Sequence, residues 1–470
     1  MSTTTSQHAV RELADRVTGA VHAPGSEGYE QGRGGVQLLD GHRPDAVVVA
    51  ADAEDVRVAV TLAHRLGCPV SAQRTGHGQG QGMRGGILVD THRLTGVRVD
   101  PERGTAHVPA GALWQEVIEA AAPHGLAPLS GSSPRVGALS YTLGGGVGLL
   151  ARRHGFAADH VRRVDLTLPD GRSHSVTADT EPELFWAVRG AGCSLGVATS
   201  MEIDLFPVAR LYGGSLFLDA THTPHILETW RAWTATVPEE LTSGMSVMAW
   251  PDMEGVPDQM RGRTVAQVSV AWSGPLAEGP AWVEPLRSAA PVLMDTMGEL
   301  PYTESGAIFD EHHDRAGFAG RSVLVDDLPE EAGVALLSTL AEPTPFMGAM
   351  SLRHLGGALA RPPHVPNAVG HRGAAHALTV LTLTGPEEPV DTERMHVFRE
   401  EAAALLSDHV VGRSTTLAFG PQGPEEVREA FDPVDHRRLV DLYTRLDPGR
   451  VLHSHRPLVW ARPGPGPVRS

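Results

Sequence analysis

The chain contains no lysine; all 39 of its basic residues are arginine. Without an ε-amine no Schiff base can form, which excludes pyridoxal-phosphate and class I aldolase chemistry. The Walker A lysine is missing too, which excludes P-loop nucleotide hydrolysis. Cysteine is nearly absent. Cys68 and Cys193 are too few for a disulfide framework and are compatible with a reducing compartment. No apolar run reaches the roughly eighteen residues of a membrane-spanning helix. Arg11, Glu12, Asp15 and Arg16 interrupt the stretch where a signal peptide would need its apolar core. A cytoplasmic location with no membrane partner is therefore expected. Net positive charge is also lacking. The formal charge is −17, with a pI near 5.7, so no nucleic-acid partner is expected, because that role relies on clustered basic residues.

What is present describes a globular protein. At 470 residues the chain is too long for one ordinary core, and its 41% hydrophobic and 20% charged residues give no reason to expect disorder. The first clear elements form a β-α-β unit. A buried-strand pattern covers 45–51, and apolar residues at helical spacing (Val56, Val60, Ala63, Leu66) end at Gly67. A second strand covers 69–73. Short strands are predicted over 86–91, 96–100 and 105–110, a helix over 112–124, and a hairpin around Pro169-Asp170-Gly171. A short helix over 183–189 and a strand over 197–206 follow. Beyond Pro207 the strands lengthen, at 246–250, 264–272, 347–355 and 375–383, with helices over 332–340 and 392–406. A last helix starts near Phe431 and is closed by Pro448. The predicted class is α+β, with a large antiparallel sheet flanked by helices in the central third.

Three glycine clusters lie in the first 200 residues, at 76–86, 131–148 and 190–196. Glycine lets backbone N–H groups approach a diphosphate and accepts positive φ. Three such loops in one small-stranded region point to a nucleotide cradle. Gly144-Gly145-Gly146-Val147-Gly148 lacks the Rossmann spacing.

The order of these motifs resembles the FAD-linked oxidases of the vanillyl-alcohol oxidase superfamily, which have a PCMH-type FAD-binding domain, and within it the berberine bridge enzyme-like branch. Arg74-Thr75-Gly76-His77-Gly78 is similar to the branch's flavin-attachment loop. Leu143 to Gly148 with Arg153, Gly155 and Asp159 is similar to its most specific motif. Glu183 to Trp186, Arg189-Gly190 and Gly196 to Thr199 continue the likeness, and Leu439 with Asp447-Pro448 and Val451 resembles its C-terminal segment. The resemblance implies an FAD-binding domain over 1–208, a substrate domain over 209–415, and a segment over 416–470 that returns to the FAD domain. It implies FAD as cofactor, with contacts from Arg74, Thr75, Gly76, His77, Gly78, Gln79, Ser133, Val136, Gly137, Ser140, Tyr141, Gly144, Gly145, Gly146, Gly148, Gly196 and Val197. It also implies hydride transfer from a small-molecule alcohol, amine or secondary metabolite to the flavin, with O2 as reoxidant. A dehydrogenase using another acceptor and a cyclase with a structural flavin are the alternatives. Oligomeric state is left open.

Within that reading His77 is the residue that bonds the flavin 8α position, since a neutral imidazole is the required nucleophile. Doubly linked relatives carry a cysteine where this chain has Ser133, and a serine hydroxyl is a poor nucleophile without a base. A single link is therefore expected. Tyr141, His354 and His376 are the candidate catalytic residues, placed beside the third glycine loop and on two of the long strands. Intact-mass measurement of the denatured protein is expected to show a gain of one FAD, and His77→Ala is expected to lose it. A wild-type chain of unmodified mass would contradict the linkage.

Overall fold

The computed structural model describes residues 10–311, 315–342, 344, 346–384 and 391–459. The first β-α-β unit forms as its pattern dictates. Strand Ala46–Val49 is wholly buried, and helix Ala53–Leu66 is capped at its start by the Asp52 side chain and at its end by Gly67 at φ 60°. Strand Val70–Gln73 returns parallel to Ile87–Asp90, which also pairs with Ala46–Val49. With Ala20–His22 these make a four-stranded sheet. A five-stranded antiparallel sheet follows, with Val197–Asp204 at its centre. Its hairpin turns at Pro169-Asp170-Gly171, where Gly171 has φ 83° and the Leu168 amide donates to the Arg172 carbonyl at 2.9 Å.

The chain's tail returns to the first sheet. The Val70 amide donates to the Val451 carbonyl, and the His453 amide donates to the Val70 carbonyl, both at 2.8 Å. Leu439, Leu442, Tyr443, Val451, Leu452 and Leu458 join the same core as the first two sheets.

Residues 210–412 build a nine-stranded antiparallel sheet that includes Arg210–Asp219, Leu241–Ala249, Thr264–Trp272, Gly317–Val325, Met347–His354 and His376–Thr384. Alternation decides its two faces. Leu216, Val268, Val270, Met350, Leu352, Leu378 and Val380 pack with Ile226, Trp230, Leu336, Leu337 and Phe398 of the covering helices. The alternate positions carry Ser215, Gln267, Ser269, Ser322, Thr379 and Arg353. This polar face meets the turn at 302–309 and an internal cavity. The fold is thus the α+β arrangement anticipated from the sequence. The strands Arg210–Asp219 and Gly317–Val325, each next to an edge of the sheet, escape sequence reading. Both contain glycines that interrupt a strand pattern.

Buried arginines tie these pieces together. Arg152, 6% exposed, donates to the carbonyls of Leu355 (2.9 Å), Pro238 (2.9 Å) and Leu241 (2.6 Å). Arg189, fully buried, donates to Phe185, Ala158, Val365 and Pro366. Burial lowers both guanidinium pKa values to about 10, so both stay charged at neutral pH. Arg152→Met would strand three carbonyls. We expect it to lower unfolding free energy by about 3 kcal/mol or more, measured by denaturant titration. Arg152→Lys should recover only part of the loss, because one ammonium cannot reproduce the planar fork.

Candidate active site

A cavity of about 330 Å3 lies where the first sheet, the polar face of the large sheet and the returning tail meet. The loop after strand Val70–Gln73 forms one wall, with Arg74, Thr75, Gly76, His77, Gly78 and Gln79 all lining it. This loop is pressed onto segment 34–36. The Val36 amide donates to the Thr75 carbonyl at 2.9 Å, and a Cβ on Gly76 would stand 2.8 Å from the Gly35 Cα. Gly76 also has φ 71°, so only glycine fits there without strain. Arg74 reaches across to the Gly111 carbonyl at 2.6 Å.

The second wall carries Ser132, Ser133, Val136, Ser140, Tyr141 and Gly144, and Gly196 and Val197 lie further along. The Tyr141 ring stands edge-on to Trp114 at 5.5 Å. Gly137, Gly145, Gly146 and Gly148 do not line the cavity. Their lack of a side chain serves packing instead. A Cβ on Gly146 would meet the Tyr141 ring and Ala157 at 2.7 Å, and one on Gly148 would meet the Ser130 carbonyl at 1.9 Å. Gly137 faces the stem of Arg74. The glycine-rich loop is held from the tail side: Thr416 Oγ1 accepts from the Gly146 amide at 3.0 Å and donates to the Gly144 carbonyl at 2.8 Å.

His354 and His376, expected beside the flavin, lie on the far side of the large sheet. They stack on each other at 5.9 Å and pack against Trp230. The reason is the strand's period of two. His354 follows Met350 and Leu352 onto the helix-covered face, and Arg353 takes the cavity side. That alternation was a readable signal for Arg353. Burial drives His354 down to about 2 and His376 to about 4, so both are neutral core residues.

Several cavity residues carried no local signal: Glu311, Ser132, Thr415, Thr416, His453, His455 and Arg456. Ser132 donates to Glu311 at 2.5 Å, and Arg353 donates to both at 3.3 Å while stacking 4.0 Å over Phe309. Arg413 pairs with Glu426 and Glu429. Arg456 donates to the carbonyls of Ala418 and Gly78, and burial lowers its pKa to about 10. Among the described residues, neither Arg74 nor Arg456 pairs with a carboxylate.

These features suit a bound dinucleotide. The buried hydroxyls of Ser133 and Tyr141 and the Arg456 Nε have no hydrogen-bond partner among the described residues, and buried polar atoms in folded proteins are almost always satisfied. Arg74 and Arg456, without carboxylate partners among the described residues, offer charge to a diphosphate.

Comparisons with known proteins agree with this geometry. Residues 44–177 match a family model described as an FAD binding domain. The chain is 26% identical over 429 residues to (R)-6-hydroxynicotine oxidase of Paenarthrobacter nicotinovorans, covering 88% of this chain and 91% of that one. Its fold superposes on xylooligosaccharide oxidase from Myceliophthora thermophila with a TM-score of 0.82 at 19% identity, covering 97% of this chain and all of the other. The berberine bridge enzyme from Eschscholzia californica gives 0.81 at 19% identity, covering 96% and 98%. Fold and site together define an FAD-dependent oxidoreductase. Residues 44–177 match the FAD binding domain model, and over nearly its whole length the chain is similar in fold to these oxidases.

The buried histidines set an acid limit. Burial lowers His42, His154 and His376 to about 4 and His455 to about 3. The unfolded chain takes up these protons below about pH 6.5, whereas the folded protein does not. Stability is therefore expected to fall as pH drops from about 6.5 toward 4. His376→Leu removes one such proton and should make the slope shallower by about 1.4 kcal/mol per pH unit. Denaturant midpoints across that range check this; an unchanged slope would contradict it.

Proposed function

We propose that this protein is an oxidase that removes hydride from a carbon bearing a hydroxyl or amino group in a small organic molecule, with O2 as the final acceptor. The observation that carries the reading is the cavity itself. His77 and its loop form one wall, and Ser132, Arg353 and Glu311 form another. A donor held between them would be close both to a flavin bonded at His77 and to polar groups able to orient it. The similarity to a hydroxynicotine oxidase over nearly the whole chain supports oxidase chemistry.

The FAD-binding unit would comprise 1–208 and 416–470, with 209–415 supplying the substrate wall. His77 would hold the flavin through one covalent bond. Arg74 and Arg456 would face its diphosphate, and the unpartnered Ser133 and Tyr141 hydroxyls would find partners on bound cofactor or donor. Bound FAD supplies the two-electron acceptor. The protein's part is to orient the donor, exclude water and receive a proton. Burial pushes the Tyr141 phenol well above its ordinary pKa, so at neutral pH Tyr141 can donate a hydrogen bond but cannot serve as a base.

The test is a panel of cyclic amines, secondary alcohols and reducing oligosaccharides mixed anaerobically with the flavin-loaded protein. A true donor should bleach the flavin's visible absorption. Readmitted air should restore it and yield one hydrogen peroxide per donor oxidised. Bleaching that air does not reverse, while an artificial acceptor does, would overturn the oxidase assignment.

A further inference from the structure

Resting on that reading, we infer that Glu311 is the general base of the reaction and that Ser132 and Arg353 position it. The ionisable groups that line the cavity narrow the choice of base. Glu426 is taken up by Arg413 and Arg321, at 3.0 and 2.9 Å. His455 is too weak a base, and His453 is engaged with the Gln81 carbonyl. Tyr141 stays protonated, and His77 is committed to the cofactor. Glu426 also accepts from the Gly423 amide through its other oxygen, whereas Glu311 meets Ser132 and Arg353 through one oxygen alone, which leaves its second oxygen to accept a proton.

Its placement is built. The preceding residue, Asp310, has φ 45°, a left-handed conformation that aspartate accepts more readily than most residues. This turn ends the 302–308 helical segment and sends the Glu311 side chain toward Ser132. The Ser132 hydroxyl donates to the carboxylate at 2.5 Å, and one Arg353 nitrogen lies 3.3 Å from both. Arg353 is itself fixed over the Phe309 ring. Ser132 adjoins Ser133, so the carboxylate lies beside a segment that lines the same cavity as His77. One Glu311 oxygen is held by these donors, and the carboxylate is only partly covered, with 39% of its side chain exposed.

In the step this supports, the donor's O–H or N–H bond breaks and its proton passes to the Glu311 carboxylate. The adjacent C–H bond breaks and its hydrogen leaves as hydride to the flavin. A C=O or C=N bond forms, the donor losing two electrons and the flavin gaining two. The substrate class is thus a carbinol or an amine with a hydrogen on the carbon next to the heteroatom.

Two readouts on the flavin-loaded protein test this. Sulfite, an anion that adds to oxidised flavins and bleaches them, serves as a probe that needs no substrate. In Glu311→Gln its Kd should fall about fivefold, the effect of losing one nearby negative charge, whereas Glu311→Asp and the exposed control Glu304→Gln should match wild type. With any donor that bleaches the wild-type flavin, Glu311→Gln should slow anaerobic reduction on the order of a hundredfold or more, at unchanged flavin content. Unchanged sulfite affinity in Glu311→Gln would overturn the placement beside the flavin, and an unchanged reduction rate would overturn the role as base. A wild-type protein that holds no flavin would instead defeat the flavoenzyme reading, a failure recognisable from the absorption spectrum alone.

Discussion

Buried guanidinium groups that donate to backbone carbonyls tie distant parts of the chain together. Arg152 joins the helical turn 151–154 to Pro238, Leu241 and Leu355 of the large-sheet region. Arg189 joins helix Pro182–Ala191 to Val365 and Pro366, and the Ala368 amide answers back to the Arg189 carbonyl at 2.9 Å. Arg372 and Asn367 close on Asp159 beside it. Arg456 spans the tail loop at Ala418 and the glycine loop at Gly78. A lysine could not do this work, since one ammonium lacks the rigid fork that serves several carbonyls at once. The absence of lysine therefore has a structural counterpart: the charged groups that cross between parts of the chain are the ones best able to satisfy backbone acceptors at low exposure.

Within that frame, strand alternation sorts the chemistry. The large sheet turns Met350, Leu352 and Leu378 toward its helices and Arg353, Ser322 and Thr379 toward the cavity side. His354 and His376 fall on the apolar face, where burial keeps them neutral and stacked. A polar residue in a strand is thus no guide to function until its face is known. The glycines divide in a similar way. Gly76 and Gly144 border the cavity, while Gly146 and Gly148 let the Tyr141 ring and the Ser130 carbonyl come close.

Local elements were legible because their causes are local. Helix Ala53–Leu66 announces itself through apolar spacing and Gly67, and the 168–172 turn through Pro-Asp-Gly. The loop at 74–79 stood out through its motif, and all six of its residues line the cavity. The other wall, with Glu311, Ser132 and Arg353, was not. Glu311 lies 42 positions from Arg353 and 179 from Ser132, in a loop with no periodicity, and only the closing of the large sheet against the first brings them together. Thr416 and Arg456 were hidden for the same reason, since the return of the tail to Val70 is a long-range pairing that no local pattern encodes.

The central claim is that this cavity holds FAD with His77 as its single covalent anchor. Digestion after arginine should release His77 within the peptide Thr75–Arg84, in which it is the only histidine. Mass spectrometry of an acid-denatured digest should find the flavin on that peptide alone. Flavin wholly released by denaturation, or joined to the 104–135 peptide that carries Ser133, would contradict the account.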